Sequence, residues 1–267
     1  MLAPKFPKDI MATVLYRKSL MEDSELEVLK KYFPVTDCMV GINNDVVIGR
    51  YSCVPFYSEV QQGLAVQGSR LINSLHEHSY IANFDYYWDI EKYTPKTWFK
   101  LSDVPEDGGP YVVKGVTTSK KSQWDTMMYA PDRKTATRIA VDLMNDYYIG
   151  SQDIIVRQFE TLKCLGIGIN GMRFNNEWRC FFYKKQMLSA GFYFTESDIM
   201  GEIDDAGYAF VNEVAQIVGE KTTFYTIDIG QKEDGSWIVV EMNDAQMAGF
   251  SYNDPDVLFG NLAKLIN

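Results

Sequence analysis

The sequence predicts a mixed α/β fold of the α+β kind, and three observations predict it. The stretch FYTIDIGQKEDGSWIVVEMNDAQ, Phe224 to Gln246, alternates apolar and polar residues on both sides of Asp234-Gly235, the pattern of a β-hairpin. The segment RKTATRIAVDLMNDYY places Ile139, Leu143 and Tyr147 on one side of an expected amphipathic helix. Short β-rich runs such as PYVVKGVTT and QDIIVRQFETL lie between such helical patterns.

Taken in order, Ser24-Glu25-Leu26-Glu27 has capping-box spacing and predicts a short helix running toward Phe33. MVGINNDVVIGRYS reads as a strand, an Asn-Asn-Asp turn and a second strand. After TPKTWFKLSDVPEDGG, a Gly-Gly-Pro break precedes the β-rich PYVVKGVTT. Asp132 or Thr135 starts the amphipathic helix, and QDIIVRQFETL follows as a buried strand. EWRCFFYKKQMLSAGFYF reads as a hairpin around Lys184-Lys185, and DDAGYAFVNEVAQIVGE as a helix leading into the Phe224–Gln246 hairpin. DPDVLFGNLAKLI supplies a last helix, with Asp254 as N-cap and Pro255 in the first turn. The expected organisation is an α/β N-terminal lobe over residues 1–95, a small β-rich central lobe over 96–165, and a larger C-terminal lobe over 166–267.

Composition limits the function classes. The 267 residues are 46% hydrophobic, enough to build the core of one large domain or of two to three small lobes. The start, MLAPKFPKDIMATVLYRK, has no long apolar run, and no stretch approaches the ~18 apolar residues of a spanning helix. A soluble, cytoplasmic protein with no membrane partner is expected. A net charge of −10 argues against nucleic acid as a general partner, while leaving room for a local basic pocket for phosphates. Cys38, Cys53, Cys164 and Cys180 form no CxxC pair and are expected as free thiols. His76 and His78 form an isolated HxH without a third ligand nearby, and read as surface or packing histidines rather than a zinc site.

The hairpin carries the chemistry. With Asp234-Gly235 as a two-residue turn, Asp228 and Glu241 face each other, and Thr226 and Asn243 share their face. Tyr225, Ile227, Ile229, Ile238, Val240 and Met242 are expected on the opposite, core face. Like charges directly opposed destabilise a sheet, so either a divalent cation joins them or they belong to a solvated face in another register. The hairpin alone leaves both readings open. Lys114, among apolar neighbours in YVVKG, needs an acid or an anionic ligand if it is buried, and none if it snorkels to solvent. The following GVTTSKKSQW has hydroxyls and lysines that suit phosphates, or a surface turn, but it is neither a P-loop nor GxGxxG.

Read together, TPKT, PYVVKG, IIVRQF, EWRCFF, TIDIG and VVEMND occur in an order that resembles the ATP-grasp superfamily of carboxylate–amine ligases. The Asp…Glu-x-Asn ending is the most specific part, and the resemblance covers about residues 94–267. VIGRYSCVPFY, EWRCFF and VVEMNDAQMAGFS further resemble a compact clade of phage and bacterial ATP-grasp proteins, for which a phage-encoded protein in a host cytoplasm is compatible. The resemblance implies an ATP-grasp fold, two α+β lobes gripping ATP, preceded by the N-terminal lobe. It implies ATP and one or two Mg²⁺ ions as cofactors, with Asp228, Glu241 and Asn243 as the metal ligands. Lys96 and Lys114 match lysines that contact ATP phosphates, and Arg179 matches an arginine reaching the phosphate-transfer region. Arg157, Gln158 and Phe159 fall at the hinge strand, where backbone groups hold the adenine edge, and Glu160 is placed at the ribose. The chain departs from the pattern at Gln158, where a glutamate is common, and at TTSKKS, where the loop is usually glycine-rich. Apart from the resemblance, Arg50, Arg70 and Asn73 are candidates for gripping a substrate carboxylate, a role suited to the arginine fork.

The implied reaction activates a carboxylate as an acyl-phosphate and joins it to an amine, with small-molecule carboxylate and amine substrates as partners. Two alternatives stand beside it. One is a non-catalytic ATP-binding effector module. The other is a nucleotidyltransferase of the RNA-ligase type, whose KxDG-like motif KGVT at Lys114 does not fit.

Overall fold

A computed structural model describes residues 12–168 and 173–266; the expectation drawn from the opening residues falls, up to residue 11, outside this range. The first sheet contains β1 (Ala12–Leu15), β2 (Val35–Thr36), β3 (Val46–Ile48) and β4 (Arg70–Leu71), all parallel in the order β2-β1-β3-β4. Its central strands, ATVL and VVI, are continuously buried because helices cover a parallel sheet, and the one polar side chain, Thr13, donates its hydroxyl to Asp45 at 2.7 Å. The connections carry α1 (Asp23–Tyr32) and α2 (Tyr57–Val66), and α3 (Leu75–Ala82) and α4 (Tyr87–Ile90) follow.

Two expectations for this part are corrected. Met39–Ile42 is not a strand, and the chain reaches β3 through an irregular segment with Gly41 at φ +95°. The capping box at Ser24–Glu27 does not form, since α1 starts at Asp23 and takes Ser24 inside. The helix turns Glu25 and Leu29 inward, and the ion pair of Glu25 with Arg50 fixes that orientation. A capping box does open α3, where Ser74 and Glu77 satisfy each other's backbone N–H.

The second sheet is antiparallel, in the order β5-β8-β6-β7, from β5 (Thr97–Trp98), β6 (Tyr111–Gly115), β7 (Tyr129–Ala130) and β8 (Ile154–Gln158). A short α5 (Trp124–Met127) precedes β7, and α6 (Arg133–Met144) covers the sheet with Ala136, Ile139, Ala140 and Leu143. Asp132 caps α6, its carboxylate accepting from the Thr135 N–H at 2.7 Å. Tyr147 is fully exposed rather than on the apolar side, because the helix ends at Met144.

The hairpin of β9 (Cys164–Ile167) and β10 (Arg173–Asn175) leads to the third and largest sheet. It is antiparallel, in the order β12-β11-β13-β14, from β11 (Glu177–Tyr183), β12 (Gln186–Phe192), β13 (Phe224–Gln231) and β14 (Trp237–Asp244). One face packs on α7 (Asp205–Val218) through Val211, Val214 and Val218, and also on Tyr80, Phe84, Tyr86 and Ile90. Helices α3 and α4 thus join the core of the third sheet, although they lie within the first 95 residues. α8 (Pro255–Ile266) closes the chain, with the Asp254 carboxylate accepting from the Asp256 N–H.

The β13–β14 register pairs Asp228 with Glu241 and Thr226 with Asn243, as the sequence predicts, although the turn differs. Near the turn Gln231 pairs with Trp237 and the Lys232 N–H donates to the Ser236 carbonyl at 2.7 Å, which leaves a three-residue loop, 233–235, with Gly235 at φ +86°. A bulge between Asp228 and Ile229 then restores the register. The consequence is a correction: Trp237 and Val239 enter the core, and Ile238 and Val240 are only half-buried. The cysteines are free thiols, and among the described residues no helix is long and apolar enough to cross a membrane.

Candidate active site

Strand alternation brings Glu177 and Arg179 of β11, Asp228 of β13, and Glu241 and Asn243 of β14 to the face away from α7. Arg179 stands directly across from Asp228 and grips it with both arms of its fork, Nε at 2.9 Å and Nη2 at 2.7 Å. Its remaining arm donates to the Gly249 carbonyl at 2.9 Å. Asn243 lies between the acids, its Nδ2 3.5 Å from Asp228 and 3.4 Å from Glu241.

The second sheet docks onto three consecutive residues of β14. The Thr94 hydroxyl donates to the Val239 carbonyl at 2.9 Å, and the Arg157 Nη1 to the Val240 carbonyl at 2.5 Å. The Lys114 ammonium meets the Glu241 carboxylate at 2.7 Å. Lys114 is therefore buried against an acid rather than snorkelling. Burial pushes its pKa down, against the pull of Glu241. Burial acts to raise the carboxyl of Glu241, but Lys114, Lys121 and Arg179 together hold it well below the usual range. Burial likewise opposes the charge on Arg179, and Asp228 more than restores it.

Lys121, Tyr193 and Glu177 belong to this face, and motif reading did not select them. Lys121 lies in the TTSKKS loop, with Nζ 2.5 Å from the Tyr193 hydroxyl and 4.0 Å from Glu241. Glu177 is buried beside Asn175, and burial raises its carboxyl. Lys121 and Glu177 carried a sequence signal, since one is in a lysine-bearing loop and the other is two residues from Arg179. Tyr193 carried none.

Other expected residues fall elsewhere. Lys96 is exposed, with Nζ 5.5 Å from the centre of the Trp98 ring. The Gln158 N–H donates to the Lys96 carbonyl and the Phe159 N–H to the Pro110 carbonyl, so neither is free for an adenine edge. The Arg157 side chain is the interlobe clamp described above, and Glu160 is half-buried.

Two of the three candidates for a substrate carboxylate, Arg50 and Asn73, are corrected. Arg50 is 1% exposed and spends its fork on Glu25, the carbonyls of Ala245, Gln246 and Ala248, and the Tyr51 hydroxyl. Asn73 is fully buried, bonding both backbone groups of Phe224 and the Asp244 carboxylate. Both are latches between the first and third sheets. Arg70 is exposed at the edge strand β4, and its Nη1 reaches only the Leu71 carbonyl among the described residues.

The donors suit a hard divalent ion. Asp228, Glu241 and Asn243 offer only oxygen ligands of the kind Mg²⁺ takes. Turning the Asn243 amide about its last torsion presents Oδ1 where Nδ2 now stands. Among the described residues no group of three or more His, Cys, Asp or Glu forms a metal site, and His78 instead bonds Asp244 at 2.9 Å and stacks on Tyr57.

A sequence model of the ATP-grasp domain, clade family 3, matches residues 103–262. A search of curated proteins by sequence returns no match. Among solved structures, D-cycloserine synthetase DcsG is similar at a TM-score of 0.62 and 12% identity, over 96% of this chain and 100% of that one. The ATP-grasp ligase PsnB, complexed with a phosphomimetic variant of its minimal precursor, Mg and ADP, is similar at 0.58 and 13%, over 97% and 99%. D-alanine–D-alanine ligase from Bacillus anthracis, complexed with ATP, is similar at 0.55 and 12%, over 88% and 85%. These likenesses establish the fold.

Proposed function

The chain belongs to the ATP-grasp family, clade family 3, and from that premise we propose that it is an ATP-dependent carboxylate–amine ligase. The observation that carries the reading is the single sheet face on which Asp228, Glu241 and Asn243 meet Lys114, Lys121 and Arg179. Acids that a divalent ion would share, beside cations that phosphates would share, are what phosphoryl transfer requires of a protein.

In this reading a substrate carboxylate oxygen attacks the γ-phosphorus of ATP, the bond to the bridging oxygen breaks, and ADP leaves. An amine then attacks the acyl carbon of the acyl-phosphate, phosphate leaves, and the nitrogen loses a proton. Asp228, Glu241 and Asn243 would hold Mg²⁺, which supplies charge neutralisation to the phosphate oxygens. Lys114, Lys121 and Arg179 offset the remaining charge, and fixed cations of this kind favour the transition state. Lys114 and Lys121 exchange their hold on Glu241 for the phosphates. Leu162 and Val240, which flank side-chain-free Gly230, supply an apolar floor suited to a purine ring. Gln158 and Phe159 are the candidates at the adenine, Glu160 at the ribose and Lys96 at the phosphates.

The test is ADP and phosphate release over a panel of carboxylates and amines, amino acids and peptides included, with and without Mg²⁺. Turnover is expected to need both Mg²⁺ and an acceptor, and to fall at least ~100-fold in Glu241→Gln. Unchanged turnover in that variant removes the metal assignment, and an AMP adduct with pyrophosphate release removes the ligase reading.

A further inference from the structure

Tyr193 directly follows β12, and its N–H donates to the Glu177 carbonyl at 2.9 Å, which ties it to β11. The Arg179 guanidinium carbon lies 5.0 Å from the centre of its ring, and the Lys121 ammonium 4.7 Å. Both distances are within the range at which an aromatic face attracts a cation. The same ammonium donates to the tyrosine hydroxyl at 2.5 Å. One side chain therefore touches the two cations that flank Asp228 and Glu241.

The loop that carries Lys121 has other anchors, but they stay on its own side of the cleft. The backbone N–H groups of Thr117 and Thr118 donate to the Gln152 carboxamide, and Lys120 pairs with Asp146 at 2.6 Å. The Lys121–Tyr193 contact crosses to the third sheet. Glu241 does not fix Lys121 unaided, because the two stand 4.0 Å apart and the lysine side chain is 52% exposed.

We propose that Tyr193 is a positioning residue of this site, its hydroxyl holding Lys121 and its ring holding Arg179 so that both cations meet one bound nucleotide. The proposal rests on the ATP reading above. Through Tyr193 the TTSKKS loop does by one lysine what a glycine-rich loop does by backbone amides.

The test is calorimetric titration of the full chain with Mg²⁺ and a non-hydrolysable ATP analogue, for wild type, Tyr193→Phe, Lys121→Met and the double variant. Tyr193→Phe keeps the ring under Arg179 and loses the hydroxyl, so binding weakens about tenfold while the thermal midpoint stays near wild type. Because the hydroxyl acts through Lys121, the double variant binds no more weakly than Lys121→Met. Trypsin cleaves after Lys120 and Lys121 several-fold faster in Tyr193→Phe than in wild type, with other sites unchanged. Wild-type affinity in Tyr193→Phe, or two penalties that multiply in the double variant, overturns the proposal and leaves the ATP reading intact. A wild type that binds no nucleotide overturns both.

Discussion

Lys114 and Glu241 form an ion pair at 2.7 Å, with side chains 6% and 16% exposed. Breaking such a pair costs more than forming it gains, because the remaining charge is left in a poor solvent. Lys114→Met should therefore lower unfolding free energy by about 3 kcal/mol, since Lys121 compensates Glu241 only from 4.0 Å. Adding Glu241→Gln to that variant removes the stranded charge and should recover at least ~1 kcal/mol. Urea unfolding of the two single variants and the double measures the coupling, and strictly additive losses would exclude the pair. Nucleotide binding should be lost in all three, which separates the functional role from the structural one. The same scale shows where the sequence was mute. A lysine in an apolar strand announces that it needs a partner, whereas Arg50 and Asn73 have no such context. Whether an arginine grips a substrate or three carbonyls of its own chain is decided by burial.

Among the elements, the β13–β14 hairpin shows how a correct register survives a misread turn. A two-residue turn pairs Asp228 with Glu241; the three-residue loop shifts the pairing by one, and the bulge at Val240 shifts it back. Alternation near the turn therefore differs from the expectation, while the residues beyond the bulge keep their places. Gly235 sits at φ +86° with no atom within 4 Å of an added Cβ, so Gly235→Ala meets backbone strain and no clash. It should destabilise by about 1 kcal/mol. Because the bulge separates the loop from Asp228, nucleotide affinity should stay within about twofold of wild type. A thermal melt and a binding titration on the same sample decide it, and a large loss of affinity would mean that the turn sets the site register. Elements with local signals were legible: the Asp132 cap, the Lys184-Lys185 hairpin and the Asp254-Pro255 start. Lys121 and Tyr193 are 72 residues apart in the chain, and no periodicity brings such residues together.

Across the whole molecule, the second and third sheets meet at the site, and helices α3 and α4 pack on the opposite face of the third sheet. Asp89 of α4 closes that second junction, accepting from Lys221 beyond α7 at 2.8 and 2.7 Å and from the Tyr80 hydroxyl at 2.7 Å. Burial acts to raise the Asp89 carboxyl, but Lys221 and Tyr80 outweigh it and hold it below its ordinary 3.8. A carboxyl depressed by folding stabilises above its unfolded value and loses that contribution as pH falls through its folded value. Lys221 is 52% exposed, and solvent screening limits the contribution to about 1 kcal/mol. Asp89→Asn should therefore be less stable than wild type by that amount at pH 7. The gap should narrow below pH 3.8, where the wild-type carboxylate begins to protonate. Urea midpoints of both proteins between pH 7 and pH 2 measure it, and a gap that stays constant would assign the loss to packing. Because α4 lies on the face of the third sheet opposite Asp228 and Glu241, the variant should bind nucleotide like wild type at neutral pH.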